Sequence, residues 1–182
     1  MAVIGNNDAS PDMDYTSNLE NLACSIEITM PEAGTSVSIW WYGTTTTAAS
    51  IGAAIYTGQT GTLVDEEASI YAPGEIATAQ WHEIPLGGVA LSATTYTIAI
   101  ASGTASSGSI AKSNGGSDNG LADWYLNGWT GTWPTTASFI NGGAQSLTMY
   151  LEYTTAGGGG DPEGRLIGGK LIRGGLLRSG VL

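Results

Sequence analysis

The sequence predicts an all-β fold, an antiparallel β-sandwich, and three observations predict it. Apolar and polar residues alternate in several short runs, the period of a half-buried strand. Those runs are punctuated by turn formers, with 28 Gly and 6 Pro among 182 residues. Nowhere does an apolar stripe recur at the 3.6-residue period of an amphipathic helix.

Residues 1–22 are polar, with Asn6, Asn7, Asp8, Pro11, Asp12 and Asp14 breaking any period, and read as an irregular arm. From Cys24 the alternation is strict: Cys24, Ile26, Ile28 and Met30 share one face, and Pro31 closes the strand. Val37, Ile39 and Trp41 share a face of the next strand, so Trp40 and Tyr42 point the other way. Thr44 to Thr47 read as a loop, residues 51–56 as a strand and Gly58 to Gly61 as a turn. Shorter strands are expected at 68–71 and 78–84, a bent connection at 85–92, and a strand with Tyr96, Ile98 and Ile100 inward. Residues 102–120 are rich in Gly, Ser and Asn, and 124–133 read as an aromatic loop. A last strand spans 147–153, and Gly157 to Gly160 form a flexible linker. The count expected is roughly seven to nine strands. The division expected is an arm at 1–22, a sandwich at 23–155 and a linker with tail at 156–182.

Charge is unevenly placed. The net charge is −11, yet Lys112 is the only Lys or Arg before residue 165. Arg165, Lys170, Arg173 and Arg178 all lie in the tail. An acidic body has little with which to neutralise phosphates, so neither nucleic acid nor an anionic membrane is an expected partner. No apolar run approaches the roughly 18 residues of a membrane-spanning helix. The N-terminal residues lack a basic segment followed by an apolar one, so synthesis in a cytoplasm without a secretory signal is expected.

In the tail, Leu166, Leu171, Leu176 and Val181 recur every five residues, each followed by Ile167, Ile172, Leu177 or Leu182. That spacing fits neither helix nor strand, and so short a segment has no second layer on which to bury its aliphatics. These residues and the four cations are the expected assembly element.

Candidate chemistry is sparse. His82 is the sole histidine and Cys24 the sole cysteine, which disfavours a zinc site, and nothing sets a nucleophile beside a base. Asp12-Met-Asp14 begins like a calcium loop, but Ser17 and Ala23 stand where glycine and a bidentate glutamate are needed. The expectation is no enzyme, no metal and no cofactor. Six Trp against one Phe is a skewed choice, because indole joins a large apolar face to a hydrogen-bond donor. Trp40, Tyr42, Trp124, Tyr125, Trp129 and Trp133 are therefore candidates for stacking on sugars or for burial by a neighbouring subunit.

The order of features also carries a resemblance. Ala54-Ile-Tyr-Thr-Gly58 is followed by Trp81-His-Glu-Ile-Pro-Leu86, by the run from Val89 through Thr95-Tyr-Thr-Ile to Ile100, and by Tyr150-Leu-Glu-Tyr153. This resembles the jelly-roll, carbohydrate-binding-module-like domains of bacteriophage virion proteins and some bacterial surface proteins, over about residues 20–155. Thr95 stands where those domains usually have glycine. The leucine- and glycine-rich tail is similar to the C-terminal ends of small phage structural proteins. The resemblance implies a sandwich of jelly-roll type in a virion subunit of the capsid-decoration or head-fibre kind. Its implied partners are virion proteins and sister subunits, and host surface glycans are the alternative.

Overall fold

The alternating runs become strands because each has one face that must leave water. In the computed structural model, residues 1–7, 12–18, 22–45, 49–71, 78–102, 108–112, 123–127, 132–143 and 147–156 are described. They form β1 (Ala2–Gly5), β2 (Asp12–Asn18), β3 (Leu22–Thr29), β4 (Gly34–Thr45), β5 (Ala49–Tyr56), β6 (Thr60–Tyr71) and β7 (Gln80–Pro85). There follow β8 (Ala90–Leu91), β9 (Thr95–Ser102), β10 (Gly108–Lys112), β11 (Asp123–Asn127), β12 (Thr136–Ser138), β13 (Ile140–Gly143) and β14 (Met149–Thr155). No helix occurs among the described residues.

Two seven-stranded antiparallel sheets result. The first has the order β1-β14-β4-β10-β2, with β7 and β8 also on β4; the second runs β12-β6-β5-β9-β3-β11-β13. The chain alternates between them, from β3 to β4, to the β5–β6 hairpin, to β7 and β8, to β9 and finally to β14. The inner faces meet in one core of Ile26, Ile28, Ile51, Ile55, Ile98 and Ile100 against Ile39, Trp41, Ile84, Met149 and Leu151. Burying each such side chain contributes about 1.5 to 3 kcal/mol, so the alternation specifies the register: a one-residue slip would expose the whole set.

The second sheet is curled. Phe139 alone separates β12 from β13, yet β12 pairs with β6 at one edge and β13 with β11 at the other. Flat, β6 and β11 would stand about 19 Å apart, whereas Ala137 to Asn141 reach only about 14 Å. The sheet must therefore bend toward this segment.

Several expectations change. The stretch expected to be an irregular arm contributes two strands: β1 pairs with β14, and β2 with β10 in the Gly/Ser-rich region. Their partners, not their own pattern, make them strands. Thr44 and Thr45 extend β4, and residues 68–71 end the twelve-residue β6. The first half of the expected aromatic loop is β11, held between β3 and β13. Linker and tail, 157–182, lie outside the described residues.

Candidate aromatic face

The element that organises the site is the long β4, because it is paired on both flanks. Its inward side chains, Ile39 and Trp41, are fully buried, which turns Ser38, Trp40 and Tyr42 outward. Inward Met149, Leu151 and Tyr153 on β14 set Tyr150 and Glu152 on the same outer face. Inward His82 and Ile84 on β7 do the same for Trp81 and Glu83.

Register then assembles these residues into rows. Glu152, Ser38 and Pro85 form one; Tyr150, Trp40 and Glu83 the next; Tyr42 pairs with Trp81 in the third. Four rings make a continuous cluster over three strands. Trp40 and Tyr150 lie nearly parallel, 12° apart with centroids 6.1 Å apart. Trp81 reaches over β4 to Tyr150 at 5.1 Å, and Tyr42 meets Trp81 edge-on at 5.6 Å. All four rings remain partly open to solvent.

The polar groups hold this arrangement. Ser38 Oγ and Trp40 Nε1 both donate to Glu152 Oε2, at 3.1 and 3.2 Å, and neither bond uses Oε1. Tyr42 donates its hydroxyl to the Ala79 carbonyl at 3.1 Å. Partial burial raises the Tyr150 phenol above its ordinary pKa, and the charges of Glu152 and Glu83 add to that shift. Tyr150 therefore stays a neutral donor well into the alkaline range. Next to it, Gly5 sits at φ 129°, where an added Cβ would lie 2.7 Å from the Met149 carbonyl and 2.8 Å from Tyr150 Cα. Only glycine lets β1 approach β14 so closely there.

The sequence candidates are divided by the fold. Trp40 and Tyr42 join the cluster; Trp133 belongs to the other sheet, half-buried with its ring 6.3 Å from Tyr56. Trp124 and Tyr125 pair with Ser25 and Cys24 within β11. Trp129 and the tail candidates Arg165, Leu166, Ile167, Lys170, Leu171, Ile172, Arg173, Leu176, Leu177, Arg178, Val181 and Leu182 lie outside the described residues. Trp81 and Tyr150 are not among the sequence candidates. Their parity identifies them, since each alternates with buried residues on its own strand: His82 and Ile84 on β7, Met149 and Leu151 on β14.

His82 lies beneath this face, 6% exposed, with its ring 4.9 Å from that of Trp41. Among the described residues no group of three or more His, Cys, Asp or Glu could hold a metal ion. Chemically, the face offers π surfaces, a phenol donor and carboxylate acceptors to whatever lies on it. No protein-family model matches the chain. A search of curated proteins likewise finds no relative.

Proposed function

We propose that this chain is a non-enzymatic display subunit of a virion. Its sandwich binds cell-surface or extracellular glycans through the outer face of the first sheet, and residues 165–182 attach it to the particle or to sister subunits. The observation that carries the binding half is the cluster Trp40–Tyr150–Trp81–Tyr42 with Glu152 beside it. Sugar rings present apolar C–H faces ringed by hydroxyls, and aromatic faces edged by carboxylates complement both features.

A second observation favours the attachment half. β14 ends at Thr155, and the next residue, Ala156, donates its backbone N–H to Ala33 O. The paired aliphatics and four cations of 165–182 come after that closure, beyond four consecutive glycines.

Retention on immobilised glycans tests the first half. The double variant Trp81→Ala with Tyr150→Ala should lose retention while still melting cooperatively; unchanged retention would refute it. Light scattering tests the second, on the full chain and on one ending at Ala156. An assembly lost on truncation, and lost again in Leu171→Asp with Leu176→Asp, supports attachment through the tail. Assembly that survives both changes rejects it.

A further inference from the structure

One sheet edge is built to accept another strand. β1 ends the first sheet, with β14 on one side of it and no described strand on the other. Asn6 donates its backbone N–H to Met149 O at 2.8 Å, so by the alternation of an antiparallel ladder Ala2 and Ile4 bond β14, while Val3 and Gly5 turn their N–H and C=O groups away. The other strands at sheet ends are blunted: β2 breaks register with β10, β7 ends in Pro85, β8 has two residues, and Phe139 joins β12 to β13 around the curl. β1, Ala2-Val-Ile-Gly5, has no charged side chain, no proline and no register shift.

Exposed apolar side chains gather at the same edge. Among the described residues only Met1, Val3 and Ile140 are large, apolar and exposed. Val3 pairs with Glu152, which sets it on the outer face of the first sheet. β7 packs over β6 and β1 over β3, so the second sheet continues through β11 to β13 past the β1 edge. Ile140 pairs with Tyr125 and Tyr125 with Cys24, a core residue, which puts Ile140 on the face turned toward the first sheet. A strand added to β1 would meet Val3 on its outer side and Ile140 on its inner side.

The tail supplies such a strand, an inference that rests on the reading above that residues 165–182 attach the chain. Leu171 and Ile172 are adjacent, and adjacent residues of a strand take opposite faces. An edge with apolar groups on both sides takes both members of a pair, which a strand with one buried face does not. Gly168 and Gly169 before the pair, and Gly174 and Gly175 after it, leave a segment of four residues, 170–173, the length of β1. Tyr153 pairs with Ala2, so β14 delivers the tail beside the start of this edge. The tail carries four apolar pairs against one such edge in each chain, which favours sharing between copies. We infer that the open edge of β1 is the seat of a sister subunit's tail, with segment 170–173 added as a strand against Val3 and Gly5. Reciprocal exchange of tails then closes a symmetric pair.

Disulfide capture between two full chains of different size tests it, one carrying Val3→Cys and the other Leu171→Cys or Ile172→Cys. Mixed and oxidised, they should give a covalent pair, strongly with one tail position and weakly with its neighbour, because only one of the two shares the face of Val3. The unmodified tail, which has no cysteine, is the blank. Val3→Pro removes an outward N–H and no bond to β14, so light scattering should place the full-length variant at the mass of the chain ending at Ala156. If that variant no longer melts cooperatively, capture alone decides. No capture at either position, with assembly lost on truncation at Ala156, overturns the inference and leaves attachment through the tail standing. Capture only when both cysteines lie in one chain assigns the edge to the chain's own tail and also overturns it. A full chain that is already a monomer does the same. Assembly that survives truncation defeats the tail reading itself.

Discussion

The outer faces of the two sheets are built on opposite plans. On the second sheet the floor is small: Ala23, Ala54, Ala99 and Ala101 are completely buried. That floor leaves room for a roof, supplied by Phe139, Ala137 and Trp133 from the 132–143 segment. Tyr56 stands up from the floor into this roof, edge-on to Phe139 at 5.4 Å, and its hydroxyl donates to Pro134 O at 2.8 Å. On the first sheet the aromatics grow from the strands themselves and stay partly open. Large side chains rooted in a sheet make a surface; small ones make a seat for a loop. The same residue type thus serves stability on one side and is available for recognition on the other.

The comparison predicts opposite responses to truncation, beginning with the closed face. Phe139→Ala should destabilise the sandwich by about 3 to 5 kcal/mol, because its site is sealed and cannot collapse fully. Urea unfolding would detect this as a lower midpoint, with glycan retention of the folded fraction unchanged. Gly5→Ala comes next, at about 1 to 3 kcal/mol, since a left-handed backbone and a backbone clash coincide there. Its loss should also weaken ligand binding, because β1 abuts Tyr150.

On the open face the pattern reverses. Trp81→Ala should cost about tenfold in affinity, roughly 1.4 kcal/mol, with a smaller change in melting temperature. A stability loss as large as that of Phe139→Ala would erase the distinction between the two faces.

The smallest effect concerns the two phenols. Burial first, then the nearby Glu66 charge, raises the Tyr56 pKa far above its ordinary value. A raised phenol pKa stabilises the fold fully below the unfolded value near 10, and that contribution is lost as pH rises beyond it. Tyr56→Phe should therefore cost about 1 kcal/mol at pH 8, through the hydrogen bond to Pro134 O. Above pH 10 this gap should close, because only the wild-type unfolded chain gains an ionised Tyr56. Parallel melting curves from pH 8 to 11 would check the sign. Tyr150→Phe, on the open face, should show a weaker version of the same trend.

Much of the inner face is legible in the amino-acid sequence. Parity alone assigns Cys24, Ile26, Ile28, Met30, Val37, Ile39, Trp41, Tyr96, Ile98 and Ile100 to it, and all are buried except Val37, which is half-buried. Parity also turns Trp40 and Tyr42 outward, where both are partly open. A strand with one buried face declares its orientation because its period is two. What parity does not say is which strands stand side by side.

Local pattern thus determined that the chain is a sandwich, which residues face its core, and that four of its five Lys and Arg residues come after residue 164. Only the tertiary structure decided that β14 and β7 flank β4, and hence that Tyr150 and Trp81, far apart in sequence, meet across Trp40 and Tyr42. It alone decided that Trp133, which looks the same in sequence, is a lid over alanines. The reason is physical: alternation is encoded within a strand, whereas neighbours are chosen by hydrogen bonding and packing between strands distant along the chain.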